Sequence, residues 1–405
     1  MSAEGQKSPR KRNLFDEIIP TYIPYFTNST EPSLIELVRI VPNTSRRSGV
    51  VVEIEASTVS FTDCMIRRNL FSAFDFATFP VTSGVDCVGR ISYCGDLAQR
   101  RGNLKVGDRV CCLYPLLGGN ARYASLPAEY LHRVPDSVHP GEAVCLVRSY
   151  LAAIQILYRS GGMDKKVKKN HRVLVTGSNG NIGRAVVELS KRAGAAVYAS
   201  CKIEHREFML DVIGADEWLN EDPTTWRDNL SVDIIIDCVC FTGNPKYLLR
   251  FLGRNGVKLV NVGNSRGLKR KMLKQMQHAG ELYDIDEFLA EEPSTTFCGI
   301  QFMPKVIKKE DIYKQDSGSL FPKIGTAMHA VTPLPFRSNI YDYNLFESIE
   351  QRQDLMADDL SLLFNLLESG IIRPAIALEV GLHEIQQAQE LVEAGGLQGA
   401  VICRP

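Results

Sequence analysis

Nowhere in its 405 residues does the chain run apolar for the ~20 positions that a bilayer crossing needs, so no membrane span is expected. Neither sign of charge is in surplus. The 47 lysines and arginines balance 47 aspartates and glutamates, which removes the field that draws a protein to nucleic acid or to an anionic membrane. The opening residues, Met1 to Asn13, lack the apolar centre of a secretory leader and read as a floppy polar tail. Within that tail, Ser8-Pro9-Arg10-Lys11-Arg12 reads as a solvated basic run in preference to a nuclear address. No C-x-x-C pair occurs among the eleven cysteines, so the spaced ligand pairs of a zinc finger are missing. An odd number of cysteines, several in apolar stretches such as Ile236 to Cys240, suits buried, reduced thiols in a cytoplasmic protein rather than a disulfide framework. No internal repeat is found.

What is present is globular. Apolar residues make up 44% and charged residues 23% of the chain, both near the usual values. The length exceeds the ~250–300 residues that one hydrophobic core sustains, so two domains are expected. After an N-terminal extension over 1–32, residues 33–147 are β-rich. Short apolar runs (Ser33–Ile40, Gly49–Ala56, Val88–Tyr93, Arg109–Leu113, Tyr130–Val134) alternate there with Gly, Pro, Asn and Asp clusters. From 148 the pattern changes. A helical stretch, Ser149–Tyr158, leads into strands at 172–175, 196–200, 233–237 and 257–262, separated by helical patterns. That alternation predicts an α/β, doubly wound parallel sheet over 148–339. A less regular, proline-containing segment occupies 264–339, and residues 340–405 close the chain with two helical patterns and a last strand.

The strongest local signal is Thr176-Gly177-Ser178-Asn179-Gly180-Asn181-Ile182-Gly183, a G-x-x-G-x-x-G turn between a strand and an amphipathic helix. The first glycine makes the turn, the second lets backbone approach a pyrophosphate, and the third lets helix pack on strand. The helix start then offers free N–H groups to the phosphates. The expected cofactor contacts are Thr176, Gly177, Asn179, Gly180, Asn181, Ile182 and Gly183, with Val262 and Gly263 at the end of a later strand. Dinucleotide binders for NAD usually place an acid about 20 residues on. Here positions 200 to 203 hold none, while Ser200, Lys202 and Arg206 supply a hydroxyl and two cations. That favours the 2′-phosphate of NADPH. Glu204 is the counter-evidence, because a shifted register would set it on a ribose diol. Tyr198 and Lys202 also spell Y-x-x-x-K, the short-chain dehydrogenase pair, but they sit on the second strand and not on a later helix.

Taken in order, six segments resemble the medium-chain dehydrogenase/reductase superfamily, in its zinc-independent quinone-oxidoreductase-like and enoyl-reductase-like branch. They are Ile54–Arg67 (IEASTVSFTDCMIR), Phe79–Ile91 (FPVTSGVDCVGRI), Gly107-Asp108-Arg109-Val110, the glycine turn, Gly214-Ala215-Asp216, and Gly396–Ile402 (GLQGAVI). The resemblance covers roughly 33–263 and 340–405. It implies a GroES-like catalytic domain built from both chain ends (33–147 completed by 340–405) around a Rossmann domain over 148–339. Residues 264–339 would be an insertion around the last Rossmann strand, near Thr295–Phe302. It also implies a cleft between the domains, a homodimer joined through the last Rossmann strands, and a small-molecule substrate.

Departures from the pattern matter as much. Where zinc-dependent relatives hold Cys and His ligands, this chain has Ser60 and Val85, and valine cannot bind a metal. No metal is expected. Met65, Ala152, Ala400 and about Glu221 stand where the zinc-free branch often has Tyr, Thr, Lys and a cofactor-phosphate Tyr. A zinc-free site suits acceptors that delocalise the charge left by hydride transfer, namely quinones and α,β-unsaturated carbonyls. Ser60, Asp63 and Met65 are expected beside the nicotinamide, with Tyr114 as proton donor; Asp63 reads equally well as fixing a turn or pairing with Arg67. The alternative is a dinucleotide-binding scaffold or regulator of the same fold that has lost turnover, with the basic run Lys269–Lys274 as a docking helix, although that run by itself reads first as a solvated helix face.

Overall fold

The computed structural model describes residues 17–23, 34–40, 49–67, 81–113, 118–159, 166–239, 246–253, 258–262, 340–345, 348 and 353–405. β1 (Glu17–Ile23) pairs antiparallel with β2 (Leu34–Ile40) and with the short β4 (Val81–Thr82). The extension over 1–32 therefore contributes a strand of its own.

The first large sheet is built around β3 (Gly49–Val59), whose run GVVVEIEASTV is buried along most of its length. On one side lie β5 (Asp86–Cys94), β6 (Arg109–Leu113) and β8 (Leu131–Arg133), and β7 (Tyr123–Pro127) pairs with the N-terminal half of β3. On the other side come β16 (Ala400–Cys403) and β15 (Ile376–Val380). Val401 opposite Val59 and Cys403 opposite Ser57 stitch the C-terminal strand antiparallel to β3. The first large sheet is thus made from both parts of the chain.

The second sheet has the strand order β11-β10-β9-β12-β13-β14. Its strands are β9 (Arg172–Thr176), β10 (Ala196–Ser200), β11 (Glu217–Leu219), β12 (Ile234–Asp237), β13 (Lys258–Val262) and β14 (Ile340–Tyr343), all parallel. Counted within the sheet this is 3-2-1-4-5-6, the doubly wound Rossmann order, and the winding reverses between β9 and β12. Central strands buried on both faces read as continuous apolar runs, which is why Val173-Leu174-Val175 and Ile234-Ile235-Ile236 are fully buried. The sixth strand differs from the sequence expectation. It is Ile340–Tyr343, so these residues extend the second, parallel sheet and not the first, where the expectation placed them; Thr295–Phe302 and Lys269–Lys274 lie outside the described residues.

The connection is α3 (Pro140–Cys145), a π-helical turn over Leu146–Tyr150, and α4 (Leu151–Tyr158). It begins well before the expected Ser149. Residues 151–157 are buried all round, as a helix in the middle of a core must be. One apolar cluster joins Ala56 and Val88 of the first sheet to Val173 and Ile236 of the second through Leu146, Leu151 and Leu157. Against this core also pack Leu363 and Phe364 of α7 (Gln353–Glu368). Lys258 is fully buried in it; its Nζ donates to the carbonyls of Ile156 at 2.9 Å and Leu157 at 3.3 Å, closing the C-terminal end of α4. No described helix is long and apolar enough to cross a membrane.

Candidate functional site

The glycine turn joins β9 to α5 (Asn181–Arg192). Gly177 has φ +59°, and a Cβ there would lie 2.7 Å from Val239 Cγ2. A Cβ on Gly183 would come within 2.3 Å of the Gly177 carbonyl oxygen, so helix and turn touch directly. Gly180 is the exposed cap residue, and a Cβ there would meet only the Gly177 oxygen at 3.3 Å. No side chain caps the start of α5, which leaves its first N–H groups for an anion. From below, the buried guanidinium of Arg184 donates to the Asn179 carbonyl and to Asn181 Oδ1. Burial lowers the Arg184 pKa to about 10. Asp237, at the end of β12, accepts from Thr176 Oγ1 at 2.6 Å and from Val239 N at 3.2 Å, tying the two strands together at the switch point.

Over this turn opens a cleft of about 670 Å³ at the carboxyl ends of the parallel strands. One wall is Thr176, Gly177 and Asn179; another is Ser200, Cys201, Lys202 and His205; a third is Glu221, Pro223 and Trp226; Val239 and Leu248 also line it. Gly396, from the C-terminal part of the chain, reaches in as well. Asn181 and Ile182 begin α5 half-buried, and Val262 ends β13 half-buried, but none of the three lines this cleft. Tyr114 and Gly263 lie outside the described residues.

Beyond the end of β10 the expected residues separate. Lys202 lines the cleft. Ser200 is 2% exposed and its Oγ donates to the Asn220 carbonyl at 2.8 Å. Arg206 is exposed, with its guanidinium 6.0 Å from the Trp218 ring centre, and does not line the cleft. Two residues that sequence reasoning did not select for this wall, His205 and Glu221, do. Burial, the largest influence on each, lowers the pKa of His205 and raises that of Glu221.

The second group of expected residues sits where β3 hands over to α1 (Phe61–Arg67). Ser60 N and Oγ both donate to Asp63 Oδ2, at 2.8 and 2.7 Å, and Gly84 N donates to Asp63 Oδ1 at 2.9 Å. Asp63 is therefore spent on fixing the turn, and Arg67 pairs at 3.0 Å with Glu393. Met65 is 8% exposed in the core. Missed by sequence reasoning is Arg148, on the π-helical turn, whose Nη1 donates to Ser60 Oγ at 2.8 Å. Nearby, Thr58 N and Oγ1 donate to the buried Asp86. Burial raises the pKa of both Asp63 and Asp86, and the Arg148 charge opposes that rise in each. Cys87 is buried too, which pushes its thiol up to about 12 and keeps it protonated. Among the described residues no three His, Cys, Asp or Glu side chains are grouped to hold a metal ion.

Comparisons with known proteins agree with this architecture. Residues 46–136 match the alcohol dehydrogenase GroES-like domain. The chloroplast envelope quinone oxidoreductase homolog of Arabidopsis thaliana is 29% identical over 189 residues, 46% of this chain and 56% of that protein. The mouse quinone oxidoreductase is 25% identical over 223 residues, 53% of this chain and 64% of that protein. The matched stretch thus spans less than two thirds of these relatives. Among solved structures, Escherichia coli quinone oxidoreductase complexed with NADPH superposes with a TM-score of 0.68 at 17% identity, covering 96% of this chain and 100% of that one. The CurK enoyl reductase gives 0.66 at 18%, covering 96% and 99%. The fold is a GroES-like domain joined to a Rossmann domain. In both sequence and fold the chain is similar to the medium-chain dehydrogenase/reductase superfamily, in its quinone-oxidoreductase-like branch.

Proposed function

We propose that this chain is an oxidoreductase that passes hydride from NADPH to a small-molecule quinone or α,β-unsaturated carbonyl without a catalytic metal. The observation that carries the reading is the cleft itself, with glycines 177, 180 and 183 beneath it and Gly396 of the C-terminal segment at its rim. A Cβ at Gly177 or Gly183 would clash with the turn's own neighbours, so the cradle is shaped for backbone to meet a pyrophosphate. Lys202 supports NADPH, as does the NADPH bound to the E. coli quinone oxidoreductase.

When bound, the reduced nicotinamide supplies the hydride that adds to the conjugated acceptor. The acceptor's carbonyl oxygen gathers the negative charge, and a cation near Ser60 can meet it. Arg148 is that cation. It has five N–H donors, and its one hydrogen bond among the described residues goes to Ser60 Oγ. Ser60, pinned between Arg148 and Asp63, holds the guanidinium in place. Conjugation spreads the developing charge, so a guanidinium and water suffice where a simple ketone would demand a metal.

Assembly as a homodimer through β14 fits the same reading, because β14 forms the edge of the described sheet. A sedimentation mass of one chain at micromolar concentration would remove that part. The nine described cysteines are all free thiols, which supports a cytoplasmic setting.

Steady-state oxidation of NADPH against a panel of quinones and enones tests the reaction. Turnover of at least one conjugated acceptor is expected. Retained cofactor binding with no turnover on any acceptor would leave the second reading, a dinucleotide-binding scaffold. That reading is favoured by one observation: Ala152 is fully buried and Ala400 nearly so, where the resemblance leads one to expect Thr and Lys.

A further inference from the structure

Two polar atoms on the ribose side of the cleft lack partners. Among the described residues, Glu221 Oε2 and His205 Nδ1 are buried and make no hydrogen bond, and both residues line the cleft. His205 is 1% exposed, and its Nε2 stands 4.0 Å from Glu204 Oε1, beyond hydrogen-bond reach. Buried polar atoms without partners cost free energy. Two on the walls of one cavity mark where a ligand completes the bonding.

We infer that Glu221 and His205 form a seat for the vicinal diol of the adenosine ribose, and that the Glu221 carboxylate narrows the NADPH preference set by Lys202. The inference rests on the dinucleotide reading of the cleft. A ribose hydroxyl can donate to a carboxylate oxygen and bond to an imidazole nitrogen. A 2′-phosphate cannot take the same place on equal terms. It carries about −1.5 to −2 charges near neutral pH, so it meets Glu221 as a like charge. Glu204 and Asp222 add negative charge around Glu221, and Lys202 opposes it. The Lys202 charge already acts on Glu221, so a phosphate must share it. His205 contributes a hydrogen bond, and burial, which lowers its pKa, disfavours a charge on its imidazole.

The chain has 2 tryptophans, and Trp226 lines the cleft, so intrinsic fluorescence can report binding. NADPH, NADH, ADP-ribose and ADP-ribose 2′-phosphate are titrated at neutral pH into the native chain, Glu221→Gln and Glu221→Ala. Both variants are expected to bind NADPH and ADP-ribose 2′-phosphate about tenfold tighter or more. Both are expected to bind NADH and ADP-ribose more weakly. An unfolding midpoint close to native confirms that the variants fold. If all three proteins bind the dinucleotides with one unchanged NADPH-to-NADH ratio, the role of Glu221 is wrong while the cleft reading survives. If the folded native chain binds none of the four ligands, the cleft reading fails and the inference falls with it.

Discussion

Arg148 Nη1 donates to Ser60 Oγ over 2.8 Å across 88 residues of sequence. Ser60 Oγ passes the contact on, donating to Asp63 Oδ2 at 2.7 Å. The order is cation, hydroxyl, buried carboxylate. It assigns the three residues different work: Asp63 is fully buried and already accepts three hydrogen bonds, so it anchors. Arg148 is half-buried, and so it is the member able to face a ligand. It gets there because the connecting helix widens into a π turn over Leu146–Tyr150, a distortion that often re-aims side chains at functional sites.

Replacing Arg148 by Met is expected to lower kcat for an enone by about 10²- to 10³-fold, the usual cost of removing one preorganised donor to an oxyanion. Dinucleotide affinity, read by fluorescence, should stay near native, since Arg148 does not line the cleft over the glycine turn. Arg148→Lys keeps the charge and should recover part of kcat. Native kcat in Arg148→Met would remove Arg148 from the reaction.

Metal content is the next expectation. Ser60 and the buried Val85 occupy the places where zinc-dependent relatives are expected to hold ligands, and Ser60 is committed to Arg148 and Asp63. Elemental analysis of the tag-free protein should find far less than one zinc per chain. Activity should survive a strong chelator. Stoichiometric zinc, or loss of activity on chelation with recovery on zinc addition, would overturn the metal-free mechanism.

How much of this was legible in the sequence follows from the range of the interactions. The Rossmann unit was readable because it repeats a local pattern: Val173-Leu174-Val175 and Ile234-Ile235-Ile236 are apolar runs, and the helix after Gly183 has a 3.6-residue period. The sixth strand was not, because 264–339 separates Ile340–Tyr343 from its partner β13 and no periodicity marks four residues. Arg148 reads as one charge in a helical stretch until folding brings Ser60 to it. His205 escaped notice for the same reason, and Glu221 was read only as standing where the zinc-free branch often has a cofactor-phosphate Tyr; the fold is what sets both on one cleft. Arg206 shows the converse. Sequence spacing set it with Lys202, but the chain turns after Ile203–His205 and carries it out over Trp218.

Lys258 should be a folding residue. Its ammonium serves the last carbonyls of α4 inside the core that joins the two domains. Lys258→Met fills similar space but leaves those carbonyls without that donor, at a cost of about 1–3 kcal/mol. Chemical denaturation should show a lower midpoint with an unchanged slope, and kcat per folded molecule should hold. Native stability in Lys258→Met would mean that water or the chain itself satisfies the helix end.

The two cations after β10 should behave differently. Lys202 lines the cleft; Arg206 lies outside it, over the Trp218 ring at 6.0 Å. A charge-assisted hydrogen bond to a phosphate is worth about 1.5–3 kcal/mol, and each 1.4 kcal/mol is about tenfold in affinity. Lys202→Ala should therefore weaken NADPH by about 10- to 150-fold, while NADH, which has no 2′-phosphate, changes little. Arg206→Ala should leave both affinities near native and alter only the tryptophan emission that its stacking influences. Titration of the two cofactors into the three proteins decides the matter. Equal loss of NADPH in both variants would mean that Arg206 swings in from Trp218 on binding. No loss in either would place the phosphate away from β10 altogether, and with it the NADPH reading of this cleft.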